Sequence, residues 1–166
     1  MEILLASEKH LLGIMYLVKQ VTANMNKKGI YHWNTSYPDH EILMLDISRK
    51  SLFIAIETGI VVGMMALKDE APDEYKQISW NIQGDKVLFI HRMAIYPGWE
   101  NKGVAEHLIS YATEHAKNTG FSCIRLDISE LQNDLEELYE KQGFKNAGKF
   151  LFPFQKKEFI CFEKEI

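Results

Sequence analysis

The chain has 166 residues, of which 46% are hydrophobic and 25% charged, and its formal net charge is −4. This composition is typical of one globular domain with its own core, and the acidic balance excludes a general attraction for nucleic acid or anionic membrane surfaces. The two cysteines lie in apolar runs, the start has no signal-peptide pattern, and no apolar stretch is long enough to cross a membrane. These features predict a cytoplasmic protein with reduced thiols.

The first fifty residues predict two helices. Apolar residues from Ser7 to Lys28 recur at helical spacing, and Gly29 is placed to close that helix. A second helix is expected to start near Asp39. The aromatic, turn-rich segment between them contains Tyr31 and Trp33, and we expect it to line a pocket.

The middle of the chain predicts strands. Ser51–Glu57 and Ile60–Leu67 are rich in β-forming residues and are joined by Thr58 and Gly59, which is typical of a tight hairpin. Asp69–Gln77 is polar and predicts a loop. Val87–Tyr96 carries apolar residues on both faces, which predicts a central strand.

The second half alternates helices and strands. A helix is predicted from about Lys102 to Asn118, a strand over Phe121–Ser129, a short helix around Tyr139 that ends at Gly143, and then two terminal strands. Strand–helix alternation after a hairpin predicts an α/β fold, with a mixed sheet and helices on both faces. We expect a single domain over residues 1–166.

The segment Ile95–Ala105 carries the clearest chemical signal. It joins a buried strand to the start of a helix through a small-residue turn, where backbone N–H groups and the helix dipole can bind a pyrophosphate. Gly103 permits close approach of the backbone, and Lys102 supplies positive charge. The alternative is a plain connection in which the glycines only relieve turn strain.

Arg92–Pro97 followed by Glu100–Ala105 resembles the strand and pyrophosphate loop of the GNAT superfamily of acyl-CoA-dependent N-acetyltransferases. The resemblance implies a three-layer arrangement around a twisted, mostly antiparallel sheet, and acetyl-CoA as cosubstrate. It also implies that the pantetheine arm follows the backbone at Met93, Ala94 and Ile95. The loop residues implied to hold the pyrophosphate are Glu100, Asn101, Lys102, Gly103, Val104 and Ala105, although Glu100 stands where the family usually has Gln or Arg.

A second motif, Leu135–Phe144, resembles the helix that closes over the thioester in the same superfamily. The tyrosine at the position of Tyr139 commonly protonates the departing CoA thiolate. The amide that bonds the cofactor in the family corresponds to Gln132, with Asn133 beside it.

The resemblance also suggests where the acceptor amine loses its proton. The family often has a carboxylate where this sequence has His91, and a histidine can accept a proton near neutral pH. A histidine packed on a strand face, or deprotonation relayed by water, are the alternatives. Tyr31 and Trp33 fall where the family shapes its acceptor pocket, although such aromatic residues are more often part of the core.

These observations predict direct transfer of the acetyl group of acetyl-CoA to a primary amine of a small molecule or peptide. The competing hypothesis is a non-catalytic acyl-CoA sensor or interaction module with the same fold. The histidines have no metal-ligand spacing, so no metal is expected. The apolar run Glu158–Phe162 predicts a strand that could pair across a homodimer.

Overall fold

A computed structural model describes residues 1–152 and 157–166. Its strands form a seven-stranded sheet in the order β1-β2-β3-β4-β5-β7-β6, which confirms the predicted mixed α/β fold. The strands are β1 (Glu2–Leu5), β2 (Leu52–Glu57), β3 (Ile60–Lys68), β4 (Val87–Ile95), β5 (Cys123–Ser129), β6 (Lys145–Leu151) and β7 (Glu158–Glu165). The helices are α1 (Leu11–Lys27), α2 (His40–Ser48), α3 (Val104–Thr119) and α4 (Glu136–Lys141).

The chain divides into two compact units. The first unit comprises residues 1–67 and 92–111, and the second comprises residues 68–91 and 112–166. The division falls between His91 and Arg92, within strand β4. In both described parts of the chain, before and after residues 153–156, no helix has the length and apolarity that a membrane span requires.

The two helices of the first unit follow the sequence prediction closely. Helix α1 packs an apolar stripe into the core that includes Ile14 and Leu17, and the chain leaves it through Gly29 at a φ of 77°. Helix α2 starts after Asp39, whose carboxylate accepts the Ile42 N–H at 2.9 Å. That side-chain cap satisfies one of the orphan donors of the first turn, so it fixes the helix start.

The strands of the first unit form a meander. Strands β2 and β3 pair antiparallel, and Thr58 and Gly59 both have a positive φ, at 49° and 79°. Such a two-residue turn matches the right-handed twist of the flanking strands. Strand β1 pairs with β2 and was not predicted, because four residues are too few to show a strand period.

In the second unit, the first part of β4 pairs with β5, and β7 lies between β5 and β6. The parallel register of β4 with β5 runs from Val87↔Cys123 to Phe89↔Arg125. Strand β7 pairs with β5 on one side and β6 on the other, both antiparallel. Because β7 has neighbours on both sides, Glu158–Phe162 cannot pair with a second copy, and the homodimer itself stays a prediction. The apolar run instead packs in the interior.

The predicted loop Asp69–Gln77 contains a short 3-10 helix, Asp73–Gln77, that holds Tyr75 in the core. The Tyr75 side chain is 3% exposed and packs in an aromatic cluster with Phe89 and Phe150. The following segment is held by buried Glu163, whose carboxylate accepts the backbone N–H groups of Asn81 and Ile82. A loop that looks polar in sequence is therefore fixed by tertiary contacts.

Candidate active site

The turn between β4 and α3 has the backbone conformation of an anion-binding loop. Gly98, Asn101 and Gly103 all have a positive φ, at 89°, 59° and 79°. Helix α3 begins at Val104, directly after Gly103. The first N–H groups of a helix have no partner within the helix and lie at the positive end of its dipole, so they can bind a phosphate.

The start of α3 packs tightly against β3 at Gly63. A Cβ atom at this glycine would lie 2.8 Å from Val104 Cγ1 and 3.1 Å from Leu108 Cδ1. The absence of a side chain therefore lets the helix approach the strand. We did not predict this role, although an isolated glycine within a strand pattern is a known sign of close backbone approach.

The two charged side chains of the loop have different partners. Glu100 accepts a hydrogen bond from Asn24 Nδ2 at 3.2 Å and another from the Gly98 N–H at 3.2 Å. Lys102 places its Nζ 4.9 Å from the centroid of the Trp99 ring. The carboxylate that replaces the family's Gln or Arg is thus tied to α1 and to its own turn.

The end of β4 is anchored by both backbone and side-chain contacts within the first unit. The Tyr96 N–H donates to the Val62 carbonyl at 2.9 Å, and Ala94 is buried. The Tyr96 ring stacks on Tyr16 of α1 at 6.0 Å between centroids. A hydrogen bond between the two hydroxyls raises the pKa of Tyr96 above its ordinary value. Met93 and Ile95 are half-buried beside Ala94.

Arg92 adopts a left-handed conformation, with a φ of 49°, in the middle of β4. Its Nε donates to Asp46 Oδ2 at 2.8 Å, and its Nη1 donates to the Tyr37 hydroxyl at 3.2 Å. The two charged side chains are 8% and 1% exposed. We did not predict this buried ion pair, because its members are distant in sequence and follow no motif.

Tyr139 of α4 is buried in the second unit. Its side chain is 4% exposed and its ring lies 5.7 Å from each of the Phe144 and Phe162 ring centroids. Burial, with the Asp127 carboxylate as a smaller contribution, raises the pKa of Tyr139 well above its ordinary value. The phenol is therefore neutral at neutral pH and available as a proton donor.

Asp127 of β5 is a charged residue in an apolar setting. Its Oδ2 accepts a hydrogen bond from the Tyr75 hydroxyl at 2.7 Å, and burial raises the pKa of the carboxyl to about 6. Burial likewise raises the pKa of the neighbouring Cys161 thiol. The sequence reasoning missed Asp127, although polar residues alternating along β5, at Arg125 and Asp127, were a usable signal.

His91, Gln132 and Asn133 also lie in the second unit. The His91 ring is half-buried and stacks on Phe89, with 6.3 Å between centroids and 26° between planes. Gln132 and Asn133 belong to a 3-10 helix, Glu130–Leu135, that precedes α4. Gln132 interrupts it with a φ of −111° and a ψ of 38°. The cofactor-binding role of both amides stays a prediction.

The two aromatic residues predicted to contact substrate differ in exposure. Tyr31 is 60% exposed, whereas Trp33 is 6% exposed and packs in the core of the first unit. Trp33 is therefore a core residue, which is the alternative that the sequence left open. Within residues 1–152 and 157–166, no three His, Cys, Asp or Glu side chains are grouped as metal ligands.

The sequence profile of the Acetyltransferase (GNAT) family matches residues 18–144, which include the loop at Gly103 and the buried Tyr139. The chain belongs to the GNAT acetyltransferase family. A mouse protein described as probable N-acetyltransferase family 8 member 5 is 26% identical to this GNAT chain over 116 residues. The match covers 64% of this chain and 46% of the mouse protein, so it spans about half the length of that relative.

Solved structures support the same fold for this GNAT chain. A GNAT-family acetyltransferase from Streptococcus agalactiae matches with a TM-score of 0.84 at 22% identity, covering 99% of this chain and 95% of the other. A PaiA N-acetyltransferase from Thermoplasma acidophilum, in complex with coenzyme A, matches with a TM-score of 0.73 at 18% identity. That match covers 99% of this chain and 98% of the other.

Proposed function

We propose that this protein transfers the acetyl group of acetyl-CoA directly to a primary amine of a small molecule or peptide. The observation that carries the proposal is the strand–turn–helix at Tyr96–Ala105, in which left-handed residues precede a helix N-terminus. Membership of the GNAT family and the likeness to a CoA-bound N-acetyltransferase support it. The cytoplasmic setting and the absence of nucleic-acid or membrane partners belong to the same proposal.

The loop residues fit the phosphates of acetyl-CoA. Backbone N–H groups at Gly103, Val104 and Ala105 would bind the pyrophosphate, and Lys102 can swing from the Trp99 ring to add positive charge, because a lysine side chain rotates freely. Glu100 does not oppose this arrangement, since its carboxylate is held by Asn24 and the Gly98 N–H. In the proposal, the backbone of Met93–Ile95 holds the pantetheine arm.

The reaction replaces a C–S bond with a C–N bond and requires two proton transfers. Acetyl-CoA supplies a thioester, whose C–S bond breaks as the amine nitrogen forms a bond to the carbonyl carbon. The amine gives up a proton to a base, and Tyr139 gives its phenolic proton to the departing sulfur. Burial keeps the Tyr139 phenol protonated at neutral pH, so the proton that the departing sulfur takes is present when the C–S bond breaks.

Two residues of the second unit are candidates for the base. The resemblance to the family implies His91. Asp127 is a second candidate, because burial raises the pKa of its carboxyl. A carboxyl with a pKa of about 6 is ionised at neutral pH but holds a proton better than an ordinary aspartate does. The proposal therefore keeps both, with water relay as the third route.

A screen for thiol release tests the proposed reaction. The purified protein is incubated with acetyl-CoA and a panel of polyamines, amino-sugar antibiotics, arylalkylamines and short peptides, and free CoA is followed with a thiol reagent. Amine-dependent release that disappears in Tyr139→Phe supports the transferase. Release that needs no amine contradicts transfer to an amine, and release that is equal in the variant contradicts the acid role of Tyr139.

The pH profile of the active amine then separates the two bases. If Asp127 accepts the proton, kcat/KM rises through about pH 6 and Asp127→Asn abolishes that rise while His91→Gln keeps it. If His91 is the base, His91→Gln abolishes the rise and Asp127→Asn keeps a rise. A rise that survives in both variants leaves water relay as the route.

A non-catalytic acyl-CoA sensor is the second candidate function. The observation that favours it is Glu100, which puts a carboxylate where the family usually has Gln or Arg. A sensor would bind acetyl-CoA but release no thiol with any amine. The presence of a buried tyrosine at the acid position argues for the enzyme.

A further inference from the structure

Arg92 occupies a backbone conformation that its residue type disfavours. A φ of 49° lies in the left-handed region, where a Cβ atom crowds the backbone, and Arg92 is the residue that directly precedes Met93–Ile95. Such a conformation persists only when surrounding contacts hold it. The contacts that hold Arg92 therefore also determine how the next three residues of β4 are presented.

Those contacts come from two other segments of the first unit. The guanidinium donates through Nε to Asp46 of α2 at 2.8 Å and through Nη1 to the hydroxyl of Tyr37 at 3.2 Å. Both ionic side chains are buried, at 8% and 1% exposure. A planar guanidinium that bonds two partners in fixed directions leaves the arginine little rotational freedom.

From this geometry we infer that Arg92 is a positioning residue for acetyl-CoA. Its bonds to Asp46 and Tyr37 hold the left-handed turn of β4, and that turn sets the backbone of Met93–Ile95 in the orientation that binds the pantetheine arm. The inference rests on the proposed function, because the pantetheine contact belongs to that proposal. Arg92 acts through the strand and does not touch the reacting atoms.

The alternative is that the ion pair only stabilises the fold. The two accounts make different predictions for the acetyl-CoA affinity of glycine and alanine variants at position 92 once the ion pair is removed. Glycine adopts a positive φ without steric cost, whereas alanine favours a negative φ. A purely structural role predicts that the two folded double variants bind acetyl-CoA equally, because neither change then affects how Met93–Ile95 is presented. A positioning role predicts tighter binding by the glycine variant, which keeps the left-handed conformation.

The experiment compares Arg92→Gly/Asp46→Asn with Arg92→Ala/Asp46→Asn in calorimetric titrations with acetyl-CoA. We expect the alanine variant to bind about tenfold more weakly than the native protein, and the glycine variant to bind within about threefold of it. Asp73→Asn is the matched control, since it removes the carboxylate of an exposed pair with Lys76 and should change nothing. Equal binding by the two double variants, or tighter binding by the alanine variant, overturns the inference.

Tyr37→Phe provides a test that does not risk the fold. Tyr37 is 37% exposed, so removing its hydroxyl leaves the core intact while the Arg92 guanidinium loses one of its two partners. We expect about threefold weaker acetyl-CoA binding with an unchanged melting temperature. Unchanged affinity overturns the inference. Native protein that fails to bind acetyl-CoA at all would instead overturn the proposed function, so the two failures are distinct.

Discussion

In the first unit the candidate cofactor loop is defined by backbone conformation, whereas in the second unit the candidate proton-transfer residues are defined by the burial of their side chains. The cofactor loop depends on the left-handed residues Gly98, Asn101 and Gly103. The residues proposed for proton transfer are Tyr139 and Asp127, whose pKa values are raised by burial. A pyrophosphate has the same charge and shape in every acyl-CoA, so backbone N–H groups are enough to bind it. Proton transfer needs side chains whose pKa values suit the reaction.

The largest effect is expected for Tyr139→Phe, which removes one hydroxyl from the second unit. Turnover with an active amine should fall about 10² to 10⁴-fold, because the departing thiolate loses its proton donor. Affinity for acetyl-CoA should stay the same, since the loop belongs to the first unit. Steady-state kinetics and calorimetry measure the two quantities.

Tyr111→Phe is the matched control for that change. Tyr111 lies on α3 and packs its ring against Phe53. Loss of its hydroxyl should leave turnover unaltered. If both tyrosine variants lose the same activity, Tyr139 has a structural role and not an acid role.

A smaller effect is expected for Gly63→Ala, which tests the packing behind the cofactor loop. The new Cβ would lie 2.8 Å from Val104 Cγ1, so the start of α3 must move. We expect a loss of about 1–3 kcal/mol in the free energy of unfolding, and weaker acetyl-CoA binding. Chemical denaturation measures the first quantity and calorimetry the second.

The second change that tests this packing is Gly63→Ala combined with Val104→Ala. Removing the Val104 methyl groups gives the new Cβ room and should restore acetyl-CoA binding in part. If the double variant binds no better than Gly63→Ala, the contact between β3 and α3 does not position the loop.

An effect on the free energy of unfolding, similar to or smaller than that of Gly63→Ala, is expected for Asp127→Asn, and it should depend on pH. The pKa of Asp127 is raised to about 6 in the folded state, so its contribution to stability is full below its ordinary pKa and is lost as pH rises through about 6. Asp127→Asn stays neutral and can still accept the Tyr75 hydroxyl. The variant should therefore gain roughly 1–3 kcal/mol relative to the native protein above that pH.

Denaturation curves at about pH 4 and about pH 8 test the sign of this linkage. The stability difference between Asp127→Asn and the native protein should grow with pH. A difference that is constant, or that shrinks as pH rises, would mean that Asp127 is solvated in the folded state.

The smallest effect is expected for Glu100→Gln in the first unit. Glutamine can keep one acceptor for Asn24 or the Gly98 N–H while it removes the negative charge beside the proposed phosphate site. Acetyl-CoA should bind about two- to fivefold more tightly, and the gain should shrink with added salt. Glu70→Gln, an exposed carboxylate of the second unit, serves as the control. Weaker binding by Glu100→Gln would show that the carboxylate itself supports the loop.

The same contrast explains what the sequence could predict. The loop was readable because a proline, glycines and a following helical pattern stand together in the chain, and Gly103 marks the helix start directly. The helices and central strands were readable from their periods. Strand β1 and the 3-10 helix at Asp73–Gln77 were missed, since each is held by tertiary contacts rather than by local preference.

The side-chain contacts were harder to predict from the sequence, for a physical reason. Asp127 and Tyr75 form one hydrogen bond although 52 residues separate them, and Arg92 and Asp46 are separated by 46. No local period or motif links such pairs, because the fold alone brings them together. Trp33 shows the reverse case: the aromatic segment that contains it predicted a pocket, but its ring is buried in the core.

The central claim is that the turn at Gly103 binds acetyl-CoA, and a calorimetric titration of three proteins tests it most directly. The native protein is compared with Gly103→Ala and with Gly59→Ala, since both glycines have a φ of 79° and only Gly103 belongs to the loop. We predict micromolar binding by the native protein and by Gly59→Ala, and binding at least about tenfold weaker by Gly103→Ala. Native protein that does not bind, or equal affinity in all three, would contradict the account.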